Sequence, residues 1–362
     1  MAVRNIQGLR AVAAFMVVLA HVGGTSGVHA TLFGGGPGWV RLEEVGRTGV
    51  DLFFVISGFI MLVTTARVPH GVAGARHFLW RRVTRIYPPY LVVTSAVLAV
   101  YLLRPDLVND SQEHRPDVLA SFLLLPQDGL PLLLVGWTLV FEMYFYVVLA
   151  LTLLLPRAAL LPALAVWGMV TVAAGQVPST HPWVQLVASP LNVEFMLGAV
   201  IGGLFAAGHR RAPLALSLLG AGGAVLLAAL VMLGADPYPG DGDWPVVIVT
   251  VVPFTLLVYG LACLEAGSGW VVPGVLVGLG DVSYSLYLTH VAVFKVLTVG
   301  LAGLTLGGTA SQVAVVLLAL VAAVAGALVF YVLVEKRLLR TLHAGTVADR
   351  WRRRASPARQ PA

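Results

Sequence analysis

Ten apolar stretches dominate this chain, at about 6–24, 49–66, 84–103, 132–155, 159–175, 185–207, 213–234, 245–264, 281–301 and 309–334. About 20 mostly apolar residues in helical conformation cross the ~30 Å hydrocarbon layer of a bilayer. Lipid offers backbone N–H and C=O groups no partners, so each such stretch must satisfy them within its own helix. The expected fold is therefore an all-α polytopic membrane protein with about ten transmembrane helices. Composition agrees, since only 11% of the 362 residues are charged, against about 25% in soluble domains. A shorter apolar piece at 118–126 is expected to lie in the membrane interface. The first stretch runs into "HVGGT" with no small-x-small cleavage site, and reads as a span rather than a removed signal.

The placement of Lys and Arg orients the chain, because cytoplasmic connections carry the excess of positive charge. With a cytoplasmic N-terminus, eighteen positive residues fall inside and four (Arg41, Arg47, Arg104 and Arg115) outside, with Lys295 within a span. Ten spans then put both termini in the cytoplasm. The net charge of +6 is thus a topology signal facing the lipid bilayer, and no nucleic-acid partner is expected. Residues 1–340 read as one transmembrane domain, and 341–362 as a basic, disordered cytoplasmic tail near anionic headgroups.

Ionisable groups inside a membrane are costly to keep and mark functional candidates. "LRAVAAFMVVLAH" places Arg10 and His21 eleven residues apart on the first helix, on one face and about 16 Å apart along the axis. Counting depth from the span ends sets Asp51, Glu142, Glu194 and Lys295 at a level comparable with His21 in the outer half. A carboxylate beside an imidazole would fix its tautomer and raise its basicity, as a general base requires. At the inner face, "RRVTRIYPPY" brings Arg81, Arg82 and Arg85 close to the level of Arg10, and guanidinium forks suit phosphate oxygens. Structural readings stand beside each of these. The arginines serve as topology residues, Asp51 as a helix cap, Lys295 as a snorkelling side chain, and the buried acids as partners for Arg or Lys. His290 fits core packing as well as function, and Ser57-Gly58 fits close helix packing. No metal site is expected: the chain has one cysteine, no HExxH, and only an acidic turn at 236–243.

Six segments in order carry a family resemblance: "NIQGLRAVAAFMVVLAH", "GVDLFFVISGFIM", "RRVTRIYPPY", "GWTLVFEMYFY", "SPLNVEFMLG" and "LGDVSYSLYLTH". Together they resemble the acyltransferase-3 family of integral membrane acyltransferases, most like its bacterial exopolysaccharide O-acetyltransferases. The resemblance implies a ten-helix core in the bacterial inner membrane, and acetyl-CoA or another acyl-CoA as donor, with no tightly bound cofactor. It implies that His21 is central to acyl transfer, and that Arg82 and Arg85, matching an R-x-x-R pair, meet the acyl-CoA with help from Arg10. A W-x-L-x-x-E-x-x-x-Y element matches Trp137, Leu139, Glu142 and Tyr146. Gln7 stands where the family often has Asp, so no catalytic acid is assigned there. The H-x-x-x-D motif of soluble acyl-CoA transferases is also absent after His21. Asp51, Glu142 and Glu194 are then the candidates to orient His21, with Glu142 first.

The expected function is an acyl-CoA-dependent O-acyltransferase acting on a hydroxyl of an exported or surface polysaccharide. Its carbohydrate acceptor would be met by Trp137, Tyr146 and Glu194. Two alternatives stand beside it: acylation of a small macrolide-like molecule, and a secondary transporter using His21, Asp51, Glu142 and Lys295 as a relay.

Overall fold

The computed structural model describes residues 3–24, 27–66, 68–108, 115–235, 243–304 and 307–344, and every regular element among them is helical. In chain order these are α1 (Arg4–Gly23), α2 (Val28–Phe33), α3 (Pro37–Thr65), α4 (Val72–Leu103), α5 (Val118–Leu123), α6 (Gly136–Thr152) and α7 (Leu160–Gly175). There follow α8 (Pro182–Ala188), α9 (Leu191–Ala206), α10 (Pro213–Met232), α11 (Asp243–Ser268), α12 (Gly274–Leu301), α13 (Gly308–Phe330) and α14 (Lys336–Ala344). A π-helical turn, Tyr331–Glu335, joins α13 to α14. Arg67, most of the acidic turn (236–242) and the tail from 345 onward lie outside the described residues.

Among the described residues, eight spans are long and apolar enough to cross a membrane, or nine if α8 and α9, bent by 42° at their junction, form one broken span. The chain is a multi-pass membrane protein whose described regular elements are all helices. The stretch 132–155 departs from the expectation of ten, because α6 has only 17 residues, about 26 Å of helix. The residues before it enter the bundle without forming helix, and Leu132, Leu133 and Val135 are all but fully buried. Non-helical backbone at depth persists only where protein satisfies its polar groups. Here Leu132 N–H donates to Ser121 Oγ at 2.9 Å, and the Val135 carbonyl accepts from the Tyr287 hydroxyl at 3.0 Å and from Thr138 Oγ1 at 3.1 Å. Helix starts also differ from the apolar boundaries. α3 and α4 each begin twelve residues before the apolar stretch (37 against 49, 72 against 84), and α12 begins seven before it (274 against 281). Apolarity marks the part of a helix that sits in hydrocarbon, and hydrogen bonding carries the helix beyond it.

The centre of the bundle is α1, α3, α9 and α12, with α3 packed on both α9 and α1, and α1 packed on α12. Backbones touch at these crossings because the side chains there are absent. A Cβ on Gly58 of α3 would lie 2.1 Å from the Phe195 carbonyl oxygen, and one on Gly198 of α9 would lie 2.2 Å from that of Val55. The same device grips α1 from two sides. A Cβ on Gly49 of α3 would lie 2.6 Å from the Ala13 carbonyl oxygen, and one on Gly280 of α12 1.9 Å from that of Gln7. Between helices in lipid, where apolar burial gives no net drive, such close approach supplies the packing energy. At the periphery, Leu161 and Met169 of α7, Leu218 and Leu226 of α10, and Leu317 and Val321 of α13 face outward, as lipid-covered helices require.

Gly58→Ala forces α3 and α9 apart against backbone atoms, so it should cost about 1–3 kcal/mol, the usual penalty of overpacking. Gly222→Ala on α10 meets open space and should leave stability within about 0.5 kcal/mol of wild type. Thermal unfolding of the two variants in the same detergent checks the contrast.

Candidate active site

Arg10 and His21 divide α1 between two cavities. Toward the N-terminal end of the helix lies a pocket of ≈ 90 Å³ lined by Arg10, Arg82, Arg85, Glu142 and Tyr146, with Ser57 and Tyr284. The Tyr146 hydroxyl and Ser57 Oγ both donate to Glu142 Oε1, the latter at 3.3 Å. Arg10 Nη1 donates to Gln7 Oε1 at 2.9 Å, so the amide that stands in place of the family's Asp holds the guanidinium. Arg82 Nη2 donates to Thr64 Oγ1 at 2.6 Å, and its guanidinium lies 5.4 Å from the Phe78 ring centroid and 5.9 Å from that of Tyr146. Arg82 Nε is buried with no protein hydrogen-bond partner. A buried cationic donor without an acceptor is poised for an incoming anion.

Glu335 completes this end. It lies in the π-helical turn, 4% exposed, and Ser285 Oγ donates to its Oε2 at 2.5 Å. Arg85 and Arg10 are its electrostatic neighbours. The carboxylate thus comes from a π-helical turn, a local geometry frequent at functional sites.

At the other end of α1 opens a cavity of ≈ 2380 Å³. His21 lines it, together with Asp51, Trp137, Glu43, Arg47 and Lys295. His21 Nδ1 is 2.9 Å from the Val17 carbonyl oxygen and 3.3 Å from His290 Nε2. The two imidazoles meet edge to face, with centroids 4.9 Å apart and planes at 72°. Val50 and Tyr287 line both cavities, so a wall one side chain thick separates them.

The structure brings Arg10, Arg82 and Arg85 together, as the sequence suggests, and it places Asp51 and Trp137 in the cavity that His21 lines. Three placements need correction. Glu142 faces the arginines, not His21: α6 begins inside the bundle, so counting depth from residue 132 misjudged its level. Tyr146, one turn further along α6, follows it into the arginine pocket and away from the His21 cavity. Glu194 is fully buried in α9 and lines neither cavity. His290 emerges as the ring that meets His21. It stands 16 residues into α12 (290 − 274), and His21 stands 17 into α1 (21 − 4). Both are therefore about 25 Å along their helices. An α12 beginning with its apolar run at 281 would set His290 shallower than His21, and nothing in the sequence pairs Gly280 with Gln7. Glu335 had no signal, because a π-turn leaves no mark in hydropathy.

An arginine pocket and an imidazole-lined cavity sharing one wall suit an enzyme that holds an anionic donor on one side and moves a proton on the other. Comparison with known proteins makes the class specific. Residues 3–332 match the family model described as an acyltransferase domain, and the chain belongs to the acyltransferase-3 family of membrane acyltransferases. It is similar to the exopolysaccharide production protein ExoZ of Rhizobium meliloti (strain 1021), with 38% identity over 312 residues covering 82% of this chain and 90% of that protein. No solved structure matches it.

Ser285→Ala removes the hydroxyl that donates to buried Glu335. Leaving that carboxylate oxygen without its donor should lower stability by about 1–3 kcal/mol, read as a lower melting temperature of the purified protein. Ser268→Ala, at an exposed helix end, is the control expected to leave it unchanged.

Proposed function

We propose that this chain transfers a short acyl group, acetyl in the simplest case, from cytoplasmic acyl-CoA to a hydroxyl of an exported polysaccharide. The observation that carries this reading is the opposition of the two cavities across Val50 and Tyr287. Three guanidiniums with an unpartnered buried Nε await an anion on one side, and a histidine lines a roomy cavity on the other. The excess of Lys and Arg on the side of the N-terminus supports a cytoplasmic arginine pocket. At ≈ 90 Å³ that pocket holds one phosphate-sized group, with the rest of a donor as large as acyl-CoA extending beyond it.

In this reaction the His21 Nε2 lone pair takes the proton of the acceptor hydroxyl as its oxygen attacks the thioester carbonyl. The tetrahedral intermediate then collapses, the C–S bond breaks, and the thiolate leaves with the proton returned from imidazolium. The ester and free CoA are the products. The size of the cavity favours a polymeric acceptor over a small macrolide-like one. At ≈ 2380 Å³ it exceeds the ~300–1,000 Å³ of typical small-ligand sites, and it presents Trp137, Gln127 and carboxylates, groups suited to sugar rings and hydroxyls. The name of the Rhizobium relative, an exopolysaccharide production protein, points the same way. A transporter would leave the convergence of Arg10, Arg82 and Arg85 without a ligand.

Two variants divide the reaction. Acetyl-CoA should raise the melting temperature of the wild-type protein, and Arg82→Ala/Arg85→Ala should abolish that rise. His21→Ala should keep the rise and lower acyl transfer by about 10²–10⁴-fold, the range for loss of a general base. Wild-type transfer rates in His21→Ala, or no response of the wild type to acetyl-CoA, would sink the assignment.

A further inference from the structure

We propose that His290 is a positioning residue of the reaction: it accepts a hydrogen bond from His21 Nδ1 and so fixes the tautomer that leaves His21 Nε2 as the base. This rests on the reading of His21 as the proton-transfer group, and deepens it by naming what takes the place of the carboxylate.

The assignment follows from the acceptors around the two rings. His21 Nδ1 is 2.9 Å from the carbonyl oxygen of Val17, and His290 Nδ1 is 2.9 Å from that of Leu286. A carbonyl oxygen only accepts, so each Nδ1 carries a proton. His290 Nε2 then bears a lone pair, and at 3.3 Å from His21 Nδ1 it can only be the acceptor of that contact. The Nδ1–H of His21 is shared between Val17 and His290, and the remaining lone pair of His21 is on Nε2. When Nε2 takes the substrate's proton, the positive charge spreads to Nδ1–H, whose two acceptors then bond more strongly.

His290 is fully buried and lines neither cavity, so it reaches substrate only through His21. Its own orientation is set by Phe294, edge to face at 5.9 Å between centroids, and by the tilted ring of Tyr287 at 6.1 Å, in addition to Leu286. A carboxylate in this role is the usual solution. Glu142 serves the arginines, and Glu43, which shares the cavity, acts on the His21 ring electrostatically rather than in place of the ring of His290 at Nδ1. A neutral imidazole held by these three neighbours supplies the acceptor without placing a full charge in direct contact with Nδ1, which would be expensive to desolvate.

The test measures thiol release from acetyl-CoA by the full-length purified protein, with the de-O-acylated polysaccharide of its host as acceptor. His290→Phe keeps a ring and removes the acceptor. It should lower kcat about a hundredfold while KM for acetyl-CoA stays within about twofold, because the arginine pocket is untouched. His290→Gln places an amide oxygen near the position of Nε2 and should recover at least about a tenth of wild-type kcat. His290→Asn, whose amide reaches only the position of Nδ1, should not recover it. In a His21→Ala background, His290→Phe should cause no further loss, as expected of groups acting as one unit. Wild-type kcat in His290→Phe, equal kcat in the Gln and Asn variants, or an additive loss over His21→Ala overturns the pairing. Full activity in His21→Ala is a separate result and overturns the parent reading instead.

Discussion

The structure depends on how closely α1 is held. This helix carries both Arg10 and His21, and its neighbours approach it backbone to backbone at Gly49 on one side and Gly280 on the other. In lipid no hydrophobic drive presses helices together, so side-chain-free crossings of this kind set distance and register. Gly280 meets Gln7, the residue whose amide holds Arg10. Ten residues further along α12, His290 meets His21. One helix pair therefore fixes the position of a cation at one end and of an imidazole at the other. α3 contributes in the same way, since its glycines face α1 and α9, its Ser57 binds Glu142, and its Asp51 lines the larger cavity.

Much of this was legible in the sequence, because the membrane imposes a coarse and strong pattern. The long apolar runs predicted the helices, and 185–207 read as one span because hydropathy is blind to the bend of 42° between α8 and α9. The shared face of Arg10 and His21 followed from helical periodicity alone, and Arg82 and Arg85 joined Arg10 as charge placement suggested. Glu142, Tyr146 and His290 lie at depths other than the edges of their apolar runs imply, and for one reason. α6 begins inside the bundle behind a non-helical segment, so Glu142 and Tyr146 sit with the arginines. α12 begins seven residues before its apolar run, so His290 is as deep as His21. Glu335 depends on a π-turn between α13 and α14, which no periodicity announces. Helix ends are set by backbone hydrogen bonding and tertiary cover, whereas hydropathy reports only lipid contact.

The two cavities differ as their proposed ligands would. The arginine pocket is small, and its three positive charges are partly offset inside the protein by Glu142 and Glu335, the latter tethered by Ser285. Three cations without those carboxylates would repel one another in a low dielectric. With them, the pocket stays assembled while Arg82 Nε remains unpartnered. The larger cavity has room for a bulky acceptor and carries charges of both signs, Asp51, Glu43, Arg47 and Lys295. A donor recognised by a few strong ionic contacts and an acceptor recognised by many weaker ones fits this division.

α12 connects the two sides. Tyr284, Tyr287 and His290 are spaced by three residues and form one ridge along the helix, covering about 9 Å. Tyr284 lines the arginine pocket, Tyr287 lines both cavities, and His290 meets His21. The segment "SYSLYLTH" thus runs from one cavity to the other, and Ser285 within it holds Glu335. Tyr287 is its residue common to both. Its hydroxyl is fixed by Thr138 Oγ1 at 2.5 Å and by the Val135 carbonyl at 3.0 Å, both from the place where the chain enters α6. The irregular backbone before α6 therefore has a use: it anchors Tyr287, which together with Val50 forms the wall between the two cavities.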